Sequence, residues 1–132
     1  MKRIGIALLL VAVAGLAGAS FAQRSRRAGA SCKAGKACVC DGVNGCGYTC
    51  EGGSCAFECR GLGGCTFRCP DGKCTAMVSG AGAATLACPG GGCSMQCSGA
   101  GACHLTDCKK DCHARCTGLG TCHNDCGDPT CN

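Results

Sequence analysis

Twenty cysteines, eight carboxylates and three histidines are the groups in this 132-residue chain best suited to chemistry. A thiolate attacks an electrophile, binds a soft metal or closes a cross-link, and spacing decides which. Two interleaved series account for most of the cysteines. The first runs Cys46, Cys55, Cys65, Cys74, Ala84, Cys93, Cys103, Cys112, Cys122, Cys131 in alternating steps of 9 and 10. The second runs Cys40, Cys50, Cys59, Cys69, Val78, Cys88, Cys97, Asp107, Cys116, Cys126 in alternating steps of 10 and 9. No step breaks either alternation. Cys108 stands one residue beyond its expected place at Asp107, and Cys32 and Cys38 precede both series. A zinc knuckle would need Cys-x-x-Cys, which does not occur, and Cys38-Val39-Cys40 is the one close pair. The spacing points to cross-links; a bulk thiolate metal store is the rival chemistry.

His104, His113 and His123 each follow a cysteine of the first series. His104 and His123 are 19 residues apart, with Thr106 and Asp125 two residues beyond them. A surface metal site on His104, His123 and Asp125 is the expectation from that spacing. Serine lies mostly in glycine-rich stretches with no His–Asp pair beside it, and the acidic residues are scattered. The Gly-x-Gly matches precede no helix and read as turns. The chain reads as a non-enzyme that needs no cofactor.

The elements that position these groups follow from the repeat. The unit is Cys-x-Φ-x-Cys, with Tyr48, Phe57, Phe67, Ala76, Leu86, Met95, Leu105, Ala114 and Asn124 at its centre. Most of these are apolar. Positions one, three and five share one character, which is the period of a half-buried strand and cannot share a helix face. The connectors alternate. Four residues span Glu51–Ser54, Pro70–Lys73, Pro89–Gly92 and Gly127–Thr130. Five span Arg60–Gly64, Ser79–Ala83, Ser98–Ala102 and Thr117–Thr121, each reading x-Gly-x-Gly-x. Two strands and two unlike turns make a 19-residue coil. The predicted fold is all-β: a small, disulfide-rich, two-sided β-solenoid with coils stacked about 4.8 Å apart. At Asp107 a β-bulge absorbs the extra residue, and a shortened turn restores register at Cys112.

Cysteines within one Cys-x-x-x-Cys strand lie about 13 Å apart, beyond the ~7 Å limit for a disulfide. Two schemes remain. One pairs cysteines across each turn: Cys50–Cys55, Cys59–Cys65, Cys69–Cys74, Cys88–Cys93, Cys97–Cys103, Cys108–Cys112, Cys116–Cys122 and Cys126–Cys131, with Cys40–Cys46 and Cys32–Cys38 before them. The other pairs cysteines of stacked coils, 19 residues apart. Val78 and Ala84 favour the first, because these two replacements flank a single turn and remove both partners of one bond.

Composition agrees with a stapled fold. Residues 1–22 carry Lys2 and Arg3, an apolar run and Ser20-Phe21-Ala22, the pattern of a secretory signal peptide. Gln23–Asn132 holds all 20 Cys and 21 of the 24 Gly, but as large aromatics only Tyr48, Phe57 and Phe67. That rules out an ordinary oily core, and with it a Rossmann enzyme, a kinase or a helical bundle. Export implies an oxidising compartment, secreted or periplasmic, where disulfides persist. Residues 23–39 form a basic arm and cap carrying +5, while the repeat region 40–132 carries −2. Nothing aromatic interleaves with the basic arm, so no specific nucleic-acid partner is expected, nor a membrane span once the leader is removed.

Region 40–131 resembles secreted bacterial Gly/Cys-repeat proteins of unknown function, which implies a fold and no activity. The architecture also resembles the disulfide-stapled β-helical ice-binding proteins of insects. Here Thr66 and Thr85 would stack on one face, but the Thr-Cys-Thr motif of those proteins is absent. The functional expectation is a secreted structural or binding protein whose partner is an envelope, glycan or surface ligand. Metal binding and ice binding are its alternatives.

Overall fold

The computed structural model describes residues 29–126. The leader at 1–22 and the last expected bond partner, Cys131, lie outside these residues. Within them the chain alternates short strands and tight turns, and every strand is parallel to its neighbours. Strands β1 (Ala30–Lys33), β3 (Cys46–Glu51), β5 (Cys65–Arg68), β7 (Ala84–Ala87), β9 (Cys103–Cys108) and β11 (Cys122–Cys126) form one sheet in that order. Strands β2 (Ala37–Cys40), β4 (Ala56–Cys59), β6 (Thr75–Val78), β8 (Ser94–Cys97) and β10 (His113–Cys116) form the other. Each sheet takes every second strand, so each neighbouring pair is one full coil apart. The register shows the 19-residue period directly: Cys46 faces Cys65, Cys65 faces Ala84, Ala84 faces Cys103, and Cys103 faces Cys122. This is the expected β-solenoid.

Burial follows the two-residue period. Phe57, Phe67, Ala76, Leu86, Met95 and Leu105 are buried between the sheets together with the cysteines that flank them, and no polar or charged residue is buried among the described residues. Phe57 and Phe67 stack across the two sheets with ring centroids 4.6 Å apart. Ala76 is the small residue between Phe57 and Met95 in the column that starts at Cys38, so small and large side chains alternate there. Burying a phenylalanine or leucine stabilises by about 1.5–3 kcal/mol. A handful of them, one per half-coil, leaves a core only one residue thick.

Cross-turn disulfides complete it. Nine lie wholly among the described residues: Cys32–Cys38, Cys40–Cys46, Cys50–Cys55, Cys59–Cys65, Cys69–Cys74, Cys88–Cys93, Cys97–Cys103, Cys108–Cys112 and Cys116–Cys122. Their Cα–Cα distances run from 5.7 to 6.6 Å, the range a disulfide needs. Closing so short a loop stabilises by about 2 kcal/mol per bond in the chain-entropy picture. Pairing between stacked coils does not occur among these bonds.

Two irregularities have local causes. At the C-terminal end Asn124 faces Leu105 but Cys126 faces Cys108, so Thr106 and Asp107 together oppose Asp125. This is the bulge expected at Asp107, whose φ is 56°. At the N-terminal end β1 and β2 extend both sheets, so the stack starts ahead of Cys40, where the repeat arithmetic begins. Cys32 faces Cys50, but Cys38 faces Phe57 and so occupies a central core position.

Candidate functional site

The disulfides stand in two rows, one along each edge of the flattened rod. The short-turn edge carries Cys32–Cys38, Cys50–Cys55, Cys69–Cys74, Cys88–Cys93 and Cys108–Cys112. The long-turn edge carries Cys40–Cys46, Cys59–Cys65, Cys97–Cys103 and Cys116–Cys122. Sulfurs of successive coils touch. Those of Cys50, Cys55 and Cys74 lie within 4.8 Å of one another, as do those of Cys69, Cys88 and Cys93, and of Cys88, Cys108 and Cys112. Cys97, Cys116 and Cys122 make the same contact on the other edge. These are the metal-like clusters of the chain, but no described cysteine is free. A disulfide sulfur is no thiolate, so the clusters are cross-links rather than ligand sets. Val78 and Ala84 occupy the one gap in the long-turn row. Val78 stacks between Cys59 and Cys97, and Ala84 between Cys65 and Cys103. Both are buried, so an apolar contact fills the space of a bond. Beside the gap an open groove of about 240 Å³ is lined by Glu58, Arg60, Met77, Val78, Ser79 and Ser98. Glu58 and Arg60 form an ion pair across its rim.

The edges differ in what they show to solvent. Glu51, Asp71, Lys73, Lys109, Lys110 and Asp111 crowd the short-turn edge, all exposed. Asp71 Oδ2 accepts a hydrogen bond of 3.1 Å from the Gly52 backbone N–H one coil below. The tips of the long turns are instead Val43, Leu62, Ala81, Ala100 and Leu119, one per coil and every one exposed. Val43 and Leu62 are 69% exposed and Leu119 94%. Glycines flank every tip but Val43, which is followed by Asn44. A Cβ on Gly61, Gly80, Gly99 or Gly118 would come within 1.9–2.2 Å of a carbonyl oxygen in the preceding coil. At these glycines the backbone therefore approaches too closely for any side chain, and the tip residue beside them points out. Sequence reasoning from the cysteine frame missed this aliphatic row. Its signal was available, the middle residue of each x-Gly-x-Gly-x turn.

On the outer face of the six-stranded sheet, Thr66, Thr85, His104 and His123 form one column in register. Thr66 and Thr85 stack as expected. The hydroxyl row stops there, because His104 follows and Arg68 stands in the next column. The histidines expected to be neighbours are so: the His104 and His123 rings lie 5.8 Å apart between centroids. His123 Nε2 is 3.0 Å from Asp125 Oδ1, and both side chains are more than half exposed. His113 lies on the other sheet, facing Ser94, away from this group.

The two sheets, the one-residue core and the bonded turns define a cysteine-rich β-solenoid, a fold whose disulfides belong to an oxidising environment. No protein-family model, curated protein or solved structure matches the chain.

Proposed function

We propose that the chain is an exported, non-enzymatic structural or binding scaffold, a rigid rod that holds flat faces and a patterned edge toward a partner outside the cell or in its envelope. One observation carries the reading: no described cysteine is free, and nine disulfides each close a single turn. Such bonds stiffen the edges and leave the outer faces free for contact. Repeat rods use their extended surfaces in this way. The basic residues Arg24, Arg26 and Arg27 precede the rod and suit an anionic envelope or glycan surface.

The test is an intact mass of the exported protein, alkylated under denaturing conditions with and without prior reduction. A fully bonded chain runs about 20 Da below the reduced one and takes up no alkylating agent. Many reactive thiols would overturn the scaffold reading and favour a thiol-based store. Binding to isolated envelope and polysaccharide preparations then follows, with the oxidised protein retained and the reduced, alkylated protein lost. Equal retention of both would show that the folded rod is not what binds.

A further inference from the structure

The repeat brings His104, His123 and Asp125 together at the bulge, where the C-terminal end of the stack departs from its period. His104 and His123 face each other on neighbouring parallel strands. Asp125, two residues on, returns to the same outer face. The bulge at Thr106 and Asp107 lies directly opposite it, so that two residues there face one.

His123 and Asp125 already stand at a spacing that suits shared coordination, and His104 must turn its ring toward them. Donor atoms bound to one zinc ion at about 2.0–2.1 Å stand roughly 3.0–3.4 Å apart. His123 Nε2 and Asp125 Oδ1 are 3.0 Å apart. Two imidazoles on one tetrahedral ion have ring centroids about 5 Å apart. The observed 5.8 Å closes by rotation of the half-buried His104 ring and the exposed His123 ring. The side chains of His123 and Asp125 are 64% and 58% exposed, so an ion reaches them without opening the fold. Two imidazoles and one carboxylate are the donors that borderline divalent ions take, with water completing the shell. The sulfurs do not compete, since the described cysteines are all in disulfides.

We infer that His104, His123 and Asp125 form a surface site for one borderline divalent transition-metal ion, zinc or copper(II), on the outer face of the six-stranded sheet. The site does not depend on the scaffold reading. A chain with thiols open would fail the mass test, whereas this inference fails on the histidines alone.

Zinc chloride titrated into the oxidised full chain, followed by calorimetry, tests it. One ion per chain is the expected stoichiometry. His104→Gln and His123→Gln each weaken binding by more than about 100-fold, beyond the roughly 10–100-fold that loss of a merely supporting partner costs. Asp125→Asn weakens it less, and His113→Gln leaves it unchanged. All four positions are exposed or half-exposed, and the mass of each variant checks that its disulfides are intact. As an independent readout, zinc shifts the ring resonances of His104 and His123 and leaves those of His113 in place. Absence of saturable binding overturns the inference. So does binding that survives the His104→Gln/His123→Gln double variant, or that is lost in His113→Gln.

Discussion

The two edges of the rod solve the same problem, a chain reversal closed by a disulfide, in different ways. On the short-turn edge the solution is conformational. A left-handed residue sits in every described short turn: Ser54, Lys73, Gly92 and Asp111 directly before the second cysteine, and Gly35 three residues before Cys38, with φ from 53° to 70°. Three of these are not glycine and carry a strain of about 1–2 kcal/mol each. On the long-turn edge the solution is steric. Gly80 and Gly99 do not have positive φ, yet a Cβ there would strike the neighbouring coil's carbonyl at 2.1 and 1.9 Å. A strained turn tolerates polar side chains, and charges collect there. In the long turns from Arg60 onward, close approach admits only glycine directly before the tip, and the tips are aliphatic. Glycine thus serves for its freedom at Gly92 and for its size at Gly80 and Gly99, while Gly72 and Gly90 on the short-turn edge meet a close approach as well.

Three substitutions test that distinction, in order of decreasing effect. Gly80→Ala destabilises the disulfide-intact protein by about 3 kcal/mol, since backbone rather than a flexible side chain blocks the new methyl. Denaturant unfolding without reductant measures it. A loss no larger than that of Gly92→Ala, about 1 kcal/mol, would erase the difference between the edges. The double change Val78→Cys/Ala84→Cys supplies the missing rung of the long-turn row. It lowers the mass by two further hydrogens and stabilises by about 2 kcal/mol. Two free thiols in that variant would mean that the gap is set by geometry and not by loss of a pair. Lys73→Gly relieves the left-handed strain and stabilises by about 1 kcal/mol. A destabilisation there would show that the short-turn edge, too, depends on its side chains.

The strands, the coil length and the pairing across turns were legible because cysteine marks both period and partner. A buried cysteine at positions one and five fixes the strand phase, and the joint absence at Val78 and Ala84 identifies which cysteines belong together. The His104–His123–Asp125 group was legible for the same reason, since 19 residues is one coil and two residues is one face. The first coil was not, because Cys32 lies 18 residues before Cys50 and Cys38 replaces a central apolar residue. Nor was the aliphatic row. Val43, Leu62 and Leu119 lie in turns where no two-residue alternation exists, and their neighbours 19 residues away include plain alanine. The close approach behind the long-turn glycines is a contact between coils that only the stacked backbone reveals.

Each disulfide joins residues four to six apart, and none of those described ties one coil to the next. Duplicating or deleting a 19-residue segment of the gene that begins and ends in short turns would therefore leave every cysteine beside its own mate. No odd thiol would be stranded, and no distant connection would need to be rewired. Rods of this design can change length by whole coils in a single genetic event, and each product inherits a complete bonding pattern.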